Sequence, residues 1–531
     1  MNPSAWTHER LMIPRWRSLA ATLQSNELSS IRAPRAGDQG ETLSTALARR
    51  LGRWRHDPSL VTAAELVEAA LVAGREREAV DAARQLVNVN ETAAPLIRAQ
   101  AQTLLRRVGL TEDVPAPQEP RAADWRRLTR LHPQNALAWV ELAFHQTVHG
   151  HPEAAAKSMA AALHLARDNR HVLRSAARLY LHLEDRERAH DLIAKSPVTR
   201  TDPWLLSAEI AFARAAHRQP RFLKLGVNLV EDGGLMPSQI TELAGSVGTV
   251  DLLDGSRRRA RKMFVRSMED PNGNALAQAE WATPRIGAEI VPTAHLESVH
   301  EAFEAMAFHR YREHRFSEVP AICERWAEVD PYSVRPFEFG ASAAGLAEDY
   351  AKAEELARRG LELRPKSQLL MNYRAFALSH IGRGPEADAL LASVIPASSD
   401  DALAMLTLAN QGLSAFRQGR HEEGMIYYRR AIDGFRRIGH ARLSACARAY
   451  LAREASRAGL PEALKLQNEA VKAMEPYKDS EALRILRRVI ENDGAGEPIE
   501  VPSDAATREA KLQRLRTISW TTPGWSGFRD S

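Results

Sequence analysis

Small side chains return at a fixed interval along this chain. In a 34-residue frame anchored at Met405, Leu408, Gly412, Gly419, Gly424, Tyr428 and Ala431 fall at positions 4, 8, 15, 20, 24 and 27. Started at Val334, the frame gives Phe337, Ala341, Glu348, Ala353, Ala357 and Gly360; 34 residues on, at Gln368, it gives Met371, Ala375, Gly382, Ala387, Leu391 and Val394. Small residues at 8, 20 and 27 let two helices approach, larger ones at 4 and 24 fill the gaps, and position 15 turns the chain. Such a hairpin cannot cover its own apolar face, so it must stack on copies of itself.

Upstream, the frame from Ala136 yields Trp139, Leu142, Ala143, Gly150, Ala155, Met159 and Ala162. Arg170 opens a repeat with Leu173, Ala177, Tyr180, Ala189 and Ile193, Trp204 opens one that degrades, and Leu60 opens one with Ala63, Gly74, Ala79 and Ala83. A repeat from Ala94 carries the insertion "TEDVPAPQEP" before its second helix resumes. "RARKMFVRSMEDPN" reads as a second helix, and hairpins are predicted over "AMAFHRYREHRFSEVPAICERWAEVDP" and "ARAYLAREASRAGLPEALKLQNEAVKAM". Together these make about nine or ten hairpins over residues 41–490.

This pattern resembles the tetratricopeptide repeat. The resemblance implies an all-α, right-handed α-solenoid of tandem helix-turn-helix units, in which the first helix of each repeat lines a concave groove. Composition agrees: aromatics are 6% of the chain, and Ala, Leu, Arg and Glu form a helix-favouring mixture.

Three stretches break the frame: "EDGGLMPSQ", "TPRIGAEIVPTAH" and "ENDGAGEPIEVPSD". The expected organisation is an N-terminal extension (1–40), an N-terminal array (41–282), a hinge (283–295), a C-terminal array (296–490), and a linker, short helix and aromatic tail (491–531). The extension holds Trp6, Arg10, Arg15, Trp16 and Arg17, and the tail holds Trp520, Trp525 and Phe528. Each either caps an array or docks on a partner.

The 72 basic and 67 acidic residues leave a formal charge of only +5, so bulk electrostatics do not argue for nucleic acid. Cys323 and Cys446 lie far apart in no metal-spaced motif, which fits small core residues in a reducing compartment. No run of about 18 apolar residues and no signal-like h-region occurs, so a soluble cytoplasmic protein without membrane contact is expected.

No phosphate-cradling glycine loop, HExxH or CxxC is present. "HGHPE" at His149–Glu153 surrounds the turn residue Gly150, which favours exposed turn histidines over metal ligands. "GWSGF" lacks the GxSxG spacing of a nucleophile elbow. No catalysis, cofactor or metal is therefore expected.

The family's geometry points positions 2, 5, 6, 9, 12 and 13 of each first helix into the groove. In the N-terminal array this selects Arg98, Gln102, Arg106, His171, Arg174 and Arg178. In the C-terminal array it selects Arg335, Asn372, Tyr373, Asn410, Arg417 and Arg448. The groove reads as basic and amide-rich, suited to acidic segments of a partner. The family's carboxylate clamp does not match, because Phe376, Ala445 and Ala449 stand where it needs polar or cationic side chains.

The expected function is a non-catalytic scaffold whose groove holds one or more partner proteins, an enzyme of the same pathway among them. One alternative is nucleic-acid binding through Arg257, Arg258, Arg259, Arg261, Lys262 and Arg266. A second is a regulator that senses a peptide or ligand.

Overall fold

The computed structural model describes residues 12–16, 43–73, 75–88, 98, 100–102, 104–105, 108–110, 122–299, 301–394, 402–477 and 480–491. Arg106, the 111–120 insertion, most of the N-terminal extension and the aromatic tail lie outside them. The described residues form helices joined by short turns, with no strand among them. The chain divides into two compact units. One takes residues 8–279 with 290–302, the other 280–289 with 303 onward.

The N-terminal unit begins with α1 (Leu43–His56), α2 (Leu60–Ala73) and α3 (Val80–Asn88). After α4 (Ala122–Leu131) come the hairpins α5/α6 (Ala136–Val148, Pro152–Leu165), α7/α8 (Arg170–His182, Arg186–Lys195), α9/α10 (Pro203–Ala215, Leu223–Glu231) and α11/α12 (Pro237–Leu253, Arg257–Ser267). Helix α13 (Gly273–Ile286) carries Pro284 near its end, and the short α14 (Thr293–Ser298) follows. The C-terminal unit continues with α15/α16 (Phe303–Arg312, Val319–Val329), α17/α18 (Arg335–Ala347, Tyr350–Leu363) and α19/α20 (Gln368–His380, Gly384–Ala392). It closes with α21/α22 (Ala402–Arg417, His421–Arg437), α23/α24 (Ala441–Arg457, Ala463–Met474) and α25 (Ser480–Glu491). Among these, α2/α3, α5/α6, α7/α8, α17/α18, α19/α20 and α21/α22 are the helix-turn-helix units that the 34-residue frame predicts.

The start and stop of each hairpin are written locally. Asn135, Asn169, Asp185 and Asp349 accept the N-cap hydrogen bonds of α5, α7, α8 and α18, each contributing about 1 kcal/mol. First helices end on a residue in the left-handed region: Gly150, Gly382 and Gly419, but also Glu184, His217 and Glu348. Except for His217, which stands one residue before it, that position is the turn residue of the frame.

Close helix contact then builds the core. A Cβ on Gly412 would meet the Tyr428 ring at 2.7 Å and the Gly424 carbonyl at 3.1 Å, so α21 and α22 pack almost backbone to backbone. Around this contact Met405, Leu413, Phe416, Tyr428, Ile432 and Phe435 form one buried cluster. Leu206, Ile210, Leu243, Val247 and Met263 do the same for the N-terminal unit. Cys323 and Cys446 are both buried core residues.

Candidate peptide-binding faces

In the N-terminal unit the first helices present a face that is already covered. Residues Met12–Trp16, in no regular secondary structure, lie across it with Met12, Pro14 and Trp16 buried. The Trp16 ring meets Phe144 of α5 edge-on at 5.4 Å. Met12 fills the notch left by Gly245 of α11, where a Cβ would fall inside its side chain. The Ile13 carbonyl accepts from Asn274 Nδ2 at 3.3 Å, and Arg15 Nη2 donates to the Gly273 carbonyl at 3.1 Å.

A buried network supports this seat. Glu242 Oε2 accepts from Arg174 Nη2 at 2.7 Å, while its Oε1 accepts from Asn272 at 3.0 Å and Asn274 at 3.4 Å. Arg174 and Glu242 are both almost fully buried. Beside them Arg170 pairs with Asp202 at 2.5 Å and lies 4.1 Å from the Trp204 ring centroid. Asp202 also caps α9 by accepting from the backbone N–H groups of Trp204 and Leu205. Burial, and secondarily the Arg174 charge, holds the His171 imidazole down at about 4.

The structure thus places Arg174 in the layer beneath the seat, while His171 and Arg178 keep partial solvent contact. Gln102 is buried and Arg98 is partly exposed. Sequence reasoning did not single out Met12, Gly245, Glu242 or Asn274. The hint was available at one of them, since a glycine inside a long helix marks a close approach.

In the C-terminal unit Asn372, Tyr373 and Asn410 are buried between successive first helices. Asn410 Nδ2 donates to Asn372 Oδ1 at 3.0 Å, and Asn372 Nδ2 donates to Thr407 Oγ1 at 3.1 Å, an amide ladder joining α19 to α21. Arg335 binds Glu304 and lies 5.4 Å from the Trp326 ring centroid, and Arg448 faces Glu469 at 3.6 Å. Both keep partial exposure.

Arg417 belongs to a denser cluster. Its Nε lies 2.8 Å from Glu454 Oε2, and Arg453 Nε donates to Glu454 Oε1 at 2.8 Å. Arg453 Nη2 is 3.2 Å from His380 Nε2, whose ring stacks on Tyr350 at 3.9 Å. Burial, followed by the charges of Arg453, Arg417 and Arg457, keeps His380 neutral far below its ordinary range. Its Nε2 is therefore the acceptor, the tautomer with the proton on Nδ1.

The arginine-rich helix α12 divides its residues by face. Ala260, Phe264 and Ser267 are buried, while Arg257, Arg258, Arg259, Arg261 and Lys262 are exposed and Arg266 is half-buried. Arg259 pairs with Asp251, Lys262 with Glu231 and Arg266 with Glu269. Among the described residues one group, Glu280, Glu289 and His309, has metal-ligand spacing. Arg312 binds both carboxylates, Glu289 through two bonds of 2.8 and 2.9 Å and Glu280 at 3.2 Å, so a protein cation already pairs with each of them.

No family model and no curated protein sequence matches this chain. Solved structures with a similar course include the Cut9–Hcn1 hetero-tetramer of APC/C (12% identity, 90% of each chain covered, TM-score 0.39). The human IFIT1 dimer with PPP-AAAA is 17% identical over 70% of this chain and 95% of that one, with a TM-score of 0.38. Yeast Tom70 is 11% identical over 86% and 99%, with a TM-score of 0.31. Among the described residues no helix is long and apolar enough to cross a membrane.

Proposed function

We propose that this chain is a non-catalytic scaffold that binds partner proteins through the first-helix faces of its two helical units. The observation that carries this reading is the seat of Met12–Trp16: the N-terminal unit holds a pentapeptide in no regular secondary structure by its side chains and by side-chain hydrogen bonds donated to main-chain carbonyls, one of the segment and one of the unit. Extended peptides are recognised in this way, main-chain bonds supplying affinity and side-chain notches supplying selectivity. In the C-terminal unit the partly exposed Arg335, Arg417 and Arg448 would meet acidic groups of a partner, in line with the preference of guanidinium for carboxylate. In the N-terminal unit Arg98 and Arg178 stand at the matching positions.

Affinity capture with the full chain as bait, with and without nuclease, tests this function. A protein partner retained in the nuclease arm supports the scaffold. Loss of every protein partner on digestion overturns it.

A second reading, nucleic-acid binding, draws on the exposed Arg257, Arg258 and Arg261 of α12. Each phosphate contact contributes a slope of about −0.9 to log K against log salt for duplex DNA. Affinity for a duplex that stays flat between low and moderate salt sinks that reading.

A further inference from the structure

Met12–Trp16 does not sit where a cap would. Caps cover the open apolar face at the end of a helical stack, whereas this segment touches α5, α11 and the start of α13, helices far apart along the chain, rather than one terminal hairpin. Nor is it held by apolar burial alone. Asn274, which receives the Ile13 carbonyl, is oriented by Glu242, and Glu242 is fixed by Arg174. The three atoms nearest to a Cβ built on Gly245 all belong to Met12, so the segment's own side chain fills the notch. Removal of the segment would take Met12 from the notch, the Ile13 carbonyl from Asn274 and the Trp16 ring from Phe144.

We propose that Met12–Trp16 is an exchangeable internal ligand, and that the partner of the N-terminal unit presents an extended segment of the same chemistry. That chemistry is an unbranched apolar side chain for the Gly245 notch, a proline two residues on, then a basic residue for the Gly273 carbonyl and an aromatic ring for Phe144. The inference rests on the scaffold reading and adds to it the nature of the partner and the resting occupant of the site. Proline fixes the segment extended and lowers the entropy lost on binding. Arginine supplies a donor for a helix-start carbonyl, and tryptophan gives large contact area with few rotors. Because residues 17–42 join the segment to α1, occupation is intramolecular, and a tethered ligand competes at an effective concentration on the order of millimolar. A free competitor therefore meets an occupied site until the segment is displaced.

A dye-labelled peptide of residues 9–19, titrated by fluorescence anisotropy into three full-length proteins, tests this. They are the native sequence, the double variant Met12→Asp/Trp16→Ala, and that variant with Gly245→Leu added. The double variant should bind the peptide at least about tenfold tighter than the native chain, by removal of the tethered competitor. Gly245→Leu should abolish that gain by filling the notch. A double variant with a native circular-dichroism spectrum that binds the peptide no better than the native chain overturns the proposal and makes the segment a fixed part of the fold.

Should the double variant fail to fold, a protease site inserted after residue 30 alters none of the described residues. After cleavage, displacement of the N-terminal fragment by excess labelled peptide supports exchange, and a fragment that cannot be displaced overturns it. Failure of exchange while nuclease-resistant protein partners are still captured sinks this inference alone. Exchange without any captured protein supports it and sinks the scaffold reading instead.

Discussion

Met12 occupies the space that a side chain on Gly245 would need, although the two residues lie at opposite ends of the N-terminal unit in sequence. This makes Gly245→Leu a means of evicting the segment while improving the helix that holds it, since leucine favours helix over glycine by close to 1 kcal/mol. We expect the variant to keep its helical content while trypsin cleaves after Arg15 faster than in the native chain, followed by mass spectrometry of the N-terminal peptides. Unchanged protection at Arg15 would mean that Met12 leaves the notch without the rest of the segment.

Arg174 and Glu242 form a pair that neither member can leave. Both are buried, and removal of one strands the other charge, which typically costs about 3–5 kcal/mol. Glu242→Ala should lower the urea midpoint accordingly, and Arg174→Ala should do the same. A double change of Arg174 and Arg178 therefore reads stability before it reads binding. A change at Arg178 alone, which is partly exposed, is the cleaner test of partner contact.

The sequence carried the helices well and the polar interior badly, for one physical reason. Hairpin packing is local: Gly412 meets Gly424 and Tyr428 within a single repeat, so a 34-residue frame captures it. The Arg174–Glu242 pair joins residues of different repeats, as do Arg417 with Glu454 and Asn372 with Asn410. No periodicity records such pairings, and a charged residue on a helix reads as solvated until its partner is known. The seat of Met12–Trp16 was hidden for the same cause, because a five-residue extended run has no period and its notch is the absence of a side chain.

Overpacking the hairpin contact tests the core directly. Gly412→Leu would drive a side chain into the Tyr428 ring and the Gly424 carbonyl, and Ala143→Leu would enlarge a residue with no exposed surface. Each should destabilise its own unit by roughly 1–3 kcal/mol. The Gly412 change is expected at the upper end, because the obstructing carbonyl is backbone and cannot rotate aside. Urea titrations followed by circular dichroism would give both values, and equal midpoints for Gly412→Leu and the native chain would refute close packing of α21 on α22.

Acid should weaken both units through two buried imidazoles. His171 titrates at about 4 in the folded chain, held there by burial and then by Arg174, while an unfolded histidine titrates near 6.5. Between these values the unfolded state binds more protons, so stability is complete above about pH 6.5 and falls as the pH drops towards 4. One such group contributes at most about 3 kcal/mol. His380 has the same sign in the C-terminal unit, where burial and the three neighbouring arginines oppose its protonation. His171→Asn should therefore flatten the loss of stability between pH 7 and 5 in the N-terminal unit. His380→Gln, which keeps an acceptor for Arg453, should flatten it in the C-terminal unit. Urea midpoints at pH 7, 6 and 5 for both variants and the native chain decide this, and a pH slope unaltered by either substitution would place the acid sensitivity elsewhere.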